Sequence, residues 1–191
     1  MTRTRFNRAG RRSTALHDAA QAGSLKAAAA ALQNDAGAAD TDDNGDTALH
    51  IAVRMGLEKH VTEMVLRGAD VTAANEAGNT PLIVAATSGE GTLRALLAVK
   101  PDLSRRNNGG NDALTCAVAA DKAANVKQLL AAGAKVDQKL LATAERLERG
   151  ALLPLLLESY TRAREELGRN ASVAGRDVTV LKLPRVARPK P

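Results

Sequence analysis

Apolar residues recur along the chain in pairs of short runs separated by polar turn-formers. In "TALHIAV", Leu49, Ala52 and Val53 fall at i, i+3 and i+4, one face of a short amphipathic helix. A second run, "HVTEMVLRGADV" at 60–71, brings Val61, Met64 and Val65 to one face of a following helix. The same plan returns three more times. Leu16, Leu49, Leu82 and Leu114 are equivalent, at separations of 33, 33 and 32 residues. Their second runs lie at 25–32, 60–71, 93–103 and 126–136, and "DTDDNG", "ANEAG" and "RRNNGG" separate the blocks. A single helix pair cannot bury its own apolar face. Stacked pairs form a continuous core, so three or more are needed for stability.

Local signals agree with this plan. Thr47 is placed to cap the first helix of its block, and Pro81 sits at a first-turn position where a missing N–H costs nothing. Gly56 and Gly89 are expected to permit the tight turn into the second helix. Gly68 and Gly78 are expected to supply positive φ at a helix end and a connector tip.

The "T-x-L-H-x-A" box, the 33-residue period and the closing "GAD-V" resemble the ankyrin repeat family. The repeats are read as 13–45, 46–78, 79–110 and 111–137. In the last, Asp112 replaces the threonine and Asp121 the usual glycine. The resemblance implies an all-α solenoid of stacked helix-turn-helix units with hairpin-like connectors. Beyond Val136 the stretches "DQKLLATAERLERG" and "ALLPLLLESYTRAREELG" read as two helices joined near Gly150, without the long connector. Residues 138–168 are therefore expected to be a degenerate repeat that caps the stack, with Leu152, Leu153, Leu155, Leu156 and Leu157 on its buried side. Pro154 is tolerable there only in a first turn. The repeat domain thus spans 13–168. Residues 1–12 are expected to be a basic flexible tail, and 169–191 an extended or disordered basic tail.

Composition narrows the function. Apolar residues make up 45% of the 191-residue chain but aromatic ones only 1%, which suits thin, closely packed helices better than a deep ligand pocket. A single cysteine, Cys116, excludes an intramolecular disulfide and a cysteine-based zinc site. It is expected to be a small buried thiol. No apolar run reaches membrane-spanning length, and the basic N-terminus lacks the apolar stretch of a signal peptide. The expected compartment is the cytoplasm. Ala- and Arg-rich, Lys-poor usage suggests a bacterial source, and the resemblance adds the expectation of an effector exported into a host cell by a signal not legible here.

The formal net charge of +6 is concentrated at the ends. Clustered Arg and Lys there raise the alternative of nucleic-acid or anionic-membrane binding. With Phe6 and Tyr160 the only aromatics, the stacking platforms of nucleic-acid readers are lacking. His17 and His50 hold equivalent positions, and the resemblance implies that each ties its helix to the next connector. One repeat apart, roughly 10 Å, they are too distant to share a metal ion. "DTDDNGD" lacks the closing Glu of a calcium loop, and the Gly-Gly of "RRNNGGND" is not followed by Lys-Ser or Lys-Thr at phosphate-loop spacing. No catalysis, cofactor or metal is expected.

The expected function is a non-catalytic scaffold that binds another protein, the chain itself being a monomer. Carrying the family's variable surface onto this sequence gives Asp43, Asn44, Asp46, Arg54 and Met55 in the second repeat as partner-binding residues. It gives Glu76, Asn79, Thr87 and Ser88 in the third, and Arg105, Arg106, Asn108 and Asn111 at the fourth. A substrate-recognition module serving an enzyme encoded elsewhere is the alternative.

Overall fold

The computed structural model describes residues 41–173, with side chains through 166, and before them only residues 5–6, 12–13, 18–19, 22 and 24. Most of the first repeat, including His17, and residues 174–191 lie outside the described residues. In the segment expected to be a flexible tail, Arg5–Phe6 and Arg12–Ser13 pair as a two-residue antiparallel ladder.

Eight described helices follow in pairs. Helices α1 (Ala48–Arg54) and α2 (Glu58–Leu66) form the second repeat, α3 (Pro81–Thr87) and α4 (Glu90–Leu97) the third. The fourth contains α5 (Ala113–Ala119) and α6 (Ala123–Ala131), and the terminal unit α7 (Gln138–Arg146) and α8 (Leu153–Val173). First helices pack against first helices throughout, and second against second as far as α6, while α8 packs on α7.

Each first helix starts on a side-chain cap. Oγ1 of Thr47 and of Thr80 accepts the N–H of His50 and of Ile83, each at 3.4 Å. Asp112 and Asp137 do the same for Thr115 (2.9 Å) and Leu140 (2.7 Å). A carboxylate at this position satisfies the same orphan N–H groups and meets the positive end of the helix dipole, so losing the threonine at 112 does not weaken the start. Beneath the caps lie rows of equivalent buried residues. Leu49, Leu82 and Leu114 form one row, Ala52, Ala85 and Ala117 a second, and Val61, Leu93 and Val126 a third. The alanines let the layers approach closely. Ala19, in a helical turn ahead of these, belongs to the same core.

The 32-residue step between Leu82 and Leu114 has a structural origin. The α1–α2 turn uses Gly56 at φ +72°, and the α5–α6 turn uses Asp121 at φ +56°. The α3–α4 turn is one residue shorter, and Gly89, at φ −82°, is the extended residue that starts α4. The expectation that Gly89 supplies special backbone freedom is therefore corrected: the deleted residue removes the need for it. At the ends of the second helices Gly68 (φ +84°) is left-handed as expected, Gly133 (φ +95°) is left-handed too, and Lys100 (φ +51°) takes that conformation in the third repeat.

The terminal unit departs from the others at its start. Asp137 follows Val136 and caps α7 directly, so no hairpin connector precedes it. Of the leucines expected on its buried side, Leu152 and Leu156 are fully buried, whereas Leu153, Leu155 and Leu157 are only partly covered among the described residues. Pro154 occupies the first turn of α8. That helix runs to Val173, into the segment expected to be extended from 169. Between Pro154 and Pro184 the sequence has no proline to stop it.

Candidate functional site

The connectors are built on an Asp or Asn at one register. Asp42 Oδ1 accepts the N–H groups of Asn44 (2.8 Å) and Asp46 (2.9 Å). Asn75 Oδ1 accepts from Ala77 (3.1 Å) and Asn79 (2.9 Å), and Asn107 Oδ1 from Gly109 and Asn111 (both 3.0 Å). A short polar side chain bonding backbone two and four residues ahead folds each connector into a tight hairpin. The acidic stretch around Asp42 is thus a turn whose carboxylate is occupied by backbone. Among the described residues no group of three or more His, Cys, Asp or Glu is arranged to hold a metal ion.

Neighbouring hairpins are then stitched together. The Glu76 N–H donates to Asn44 O (3.0 Å) and the Asn108 N–H to Ala77 O (3.1 Å). Asn75 Nδ2 donates to Asp46 Oδ1 and Asn107 Nδ2 to Asn79 Oδ1, each at 2.8 Å. Asn108 Nδ2 reaches Glu76 O at 2.8 Å. The approach is close enough that a Cβ on Gly78 would lie 2.5 Å from Asn108 Oδ1, so only glycine, here at φ +74°, fits between the tips.

His50 joins this network from the helical side. Its Nδ1 accepts the Thr47 N–H (3.2 Å), which leaves Nε2–H to donate to Asn79 O of the next connector at 2.9 Å. Burial pushes its pKa below the ordinary histidine value, because a charged ring would lose hydration and could not accept at Nδ1. The expected tie between repeats is therefore present at His50.

The proposed contact residues separate into three groups. Asp43, Asn44, Glu76 and Asn108 are exposed at the tips, and Met55, Thr87 and Arg105 are exposed beside or below them. Ser88, Asn79 and Asn111 are half-buried, Asn79 being engaged by Asn75, Asn107 and His50. One reading is corrected. Asp46 is only 1% exposed: its Oδ1 takes Asn75 and its Oδ2 the Arg54 guanidinium, so it cannot meet a partner directly. Arg106 turns along the stack, donating to Gly110 O (2.8 Å) and pairing with Asp112 (3.4 Å) and Asp137 (3.8 Å). It occupies the ground that the absent fifth connector leaves open.

Between the connectors and the first helices lies an open depression of about 420 Å³. Ile83, Val84 and Cys116 form its floor; Arg54, Asn79, Thr87, Ser88 and Asn107 form its rim. Val84 and Cys116 are equivalent residues of successive repeats. Cys116 is thus a half-buried thiol lining the concave face rather than a fully buried one, with its pKa raised by burial and then by Asp112. Sequence reasoning missed Val84, Asn107 and Asn75. The 33- and 32-residue spacing of Asp42, Asn75 and Asn107 is the signal that identifies the turn residues.

The capped first helices and the hairpins bonded in series recur from repeat to repeat, and His50 adds a bridge from its helix to the next connector. The sequence profile described as "Ankyrin repeats (3 copies)" matches residues 2–75 and 61–139, well over half of the chain. Rabankyrin-5 of Homo sapiens is 38% identical over 77 residues, which is 39% of this chain and 7% of that protein. The chain therefore spans a small fraction of that relative's length. On the profile match and the repeated geometry together, the chain belongs to the ankyrin repeat family.

Proposed function

We propose that the chain is a non-catalytic scaffold that binds a partner protein across its concave face, from the hairpin tips to the exposed ends of the first helices. Ankyrin repeats are generally protein–protein interaction modules and typically non-catalytic. The observation that carries the reading is where the varying positions gather. Arg54, Thr87 and Ala119 are equivalent, as are Met55, Ser88 and Ala120, and each row differs from repeat to repeat while the core rows beneath hold Leu, Ala and Val. Met55, 41% exposed, adds an apolar contact beside the polar ones. Acid at the first tips and Arg105 near the third give the face a gradient that would orient a partner of opposite order.

The test introduces positive charge where it does not disturb packing. Asn44→Arg with Glu76→Arg alters two exposed tips. Leu66→Arg, at a position 77% exposed on a second helix, is the control. A partner captured from lysate by the wild-type chain and measured by calorimetry should lose at least about tenfold in affinity to the tip variant and little to the control. Equal binding by the tip variant, with loss in the control, would move the interface away from the concave face.

A further inference from the structure

The buried position of Asp46 assigns a specific task to the residue it holds. Asp46, Asn79 and Asn111 occupy equivalent places. Asn79 accepts the Nδ2 of the next connector's Asn107 as Asp46 accepts that of Asn75, both at 2.8 Å. An asparagine therefore suffices for the stitch between hairpins. The negative charge at 46 exceeds what that bond requires, and its second oxygen holds Arg54, whose side chain is 52% exposed. No other described repeat has this pair, since the positions equivalent to Arg54 are Thr87 and Ala119. A buried carboxylate that fixes a half-exposed guanidinium pre-orients the remaining N–H donors and reduces the entropy a ligand must offset.

Arg54 stands on the rim of the concave depression, and it is the one charged residue in the lining. The floor beside it is apolar, from Val84 and Cys116. The rim hydroxyls of Thr87 and Ser88 both donate to Val84 O, at 3.0 and 2.9 Å, so outward they offer acceptor lone pairs. A complementary ligand presents a carboxylate to Arg54, an aliphatic side chain to the floor and backbone N–H groups to the two hydroxyls.

We infer that the depression is a subsite for an extended peptide carrying an acidic residue next to an aliphatic one, with Arg54 as its carboxylate reader and Asp46 as the positioning residue. The inference rests on the concave-face reading and makes it specific. A partner's loop or terminus with this pair of side chains would seat there, the rest of the partner reaching the hairpin tips.

The probe is N-acetylated, C-amidated Gly-Glu-Leu-Gly, compared with the same peptide bearing Gln or Lys for Glu, or Gly for Leu. Amide resonances of Val84, Thr87 and Cys116 report binding to the full chain. The Glu-Leu peptide should shift them in a saturable way with a Kd on the order of millimolar, weakened about five- to tenfold by Gln or Gly and more by Lys. Raising salt should weaken it further. Asp46→Asn should keep the thermal midpoint close to that of wild type and weaken peptide binding to the level of the Gln peptide. Should Asp46→Asn lose stability, Thr87→Glu supplies the second arm, by placing a competing carboxylate on the rim and abolishing the response to the Glu-Leu peptide. Absence of shifts at roughly 10 mM peptide, or equal shifts with the Lys peptide, would overturn the subsite. Overturned in that way while the tip variant still loses its captured partner, the subsite alone would fall and the concave-face reading would stand.

Discussion

His50 combines a structural tie with a built-in pH response. Burial lowers its pKa from the ordinary 6.5, so the unfolded chain takes up the proton before the folded one does. Its contribution is complete above about pH 6.5 and is lost as pH falls from there through the lower folded value. Urea midpoints measured between about pH 7.5 and 5 should therefore fall with acidification, and His50→Leu should flatten that slope. An unchanged slope in His50→Leu would place the titration elsewhere. Beside it, Leu49→Ala should cost about 2–5 kcal/mol, as loss of a buried Leu from the layered core, whereas Glu76→Ala at an exposed tip should stay within about 0.5 kcal/mol. Thr47, Leu49 and His50 were legible because each acts within its own repeat or on the next in a fixed register. Asp46 was not: it reads as a free acid until Asn75, from the following connector, and Arg54, eight residues on, are seen to close over it.

Single helices here are too short to persist alone, at seven to nine residues apart from α8, so their ends decide much of their stability. At the end of α3, where the turn lost a residue, the carbonyls of Ala85, Ala86 and Ser88 receive Nδ2 of Asn125 from α6 at 3.3, 2.9 and 3.3 Å. Ala85 O also accepts the Ser88 N–H, so Asn125→Leu should remove the amide donor from the Ala86 and Ser88 carbonyls above all and cost about 1–3 kcal/mol, read from urea unfolding. Parity with wild type would mean that water replaces the amide. The opposite sign is expected at Lys100, which adopts φ +51° where the second and fourth repeats have glycine. Lys100→Gly should stabilise the chain by about 1 kcal/mol or less, strain relief being partly offset by the greater freedom of glycine when unfolded. The helix pairs and their period were visible in the apolar pattern. The shortened turn was visible only as a 32 among 33s, and its compensation by a side chain forty residues away had no local signature.

Across the whole stack, stability is a sum of repeat terms and interfaces between neighbours, so the ends need devices that the middle does not. The terminal unit lacks a connector and is held instead by two arginines. Arg106 bridges Gly110 O, Asp112 and Asp137; Arg149 of the cap donates to Ala119 O at 3.1 Å and pairs with Asp121 at 3.3 Å. Both are partly solvated, so each ion pair is worth on the order of 1 kcal/mol or less, yet together they join the cap to the fourth repeat at both ends of α5. Arg106→Ala with Arg149→Ala should therefore lower the opening free energy of α7 and α8 by about 1–2 kcal/mol. Amide exchange resolves this by element. Faster exchange confined to the cap, with α1 and α3 unchanged, is the expected pattern for a locally coupled stack. Equal acceleration in all eight helices would show that the described repeats open as one cooperative unit, and that the two arginines stabilise the whole rather than its end.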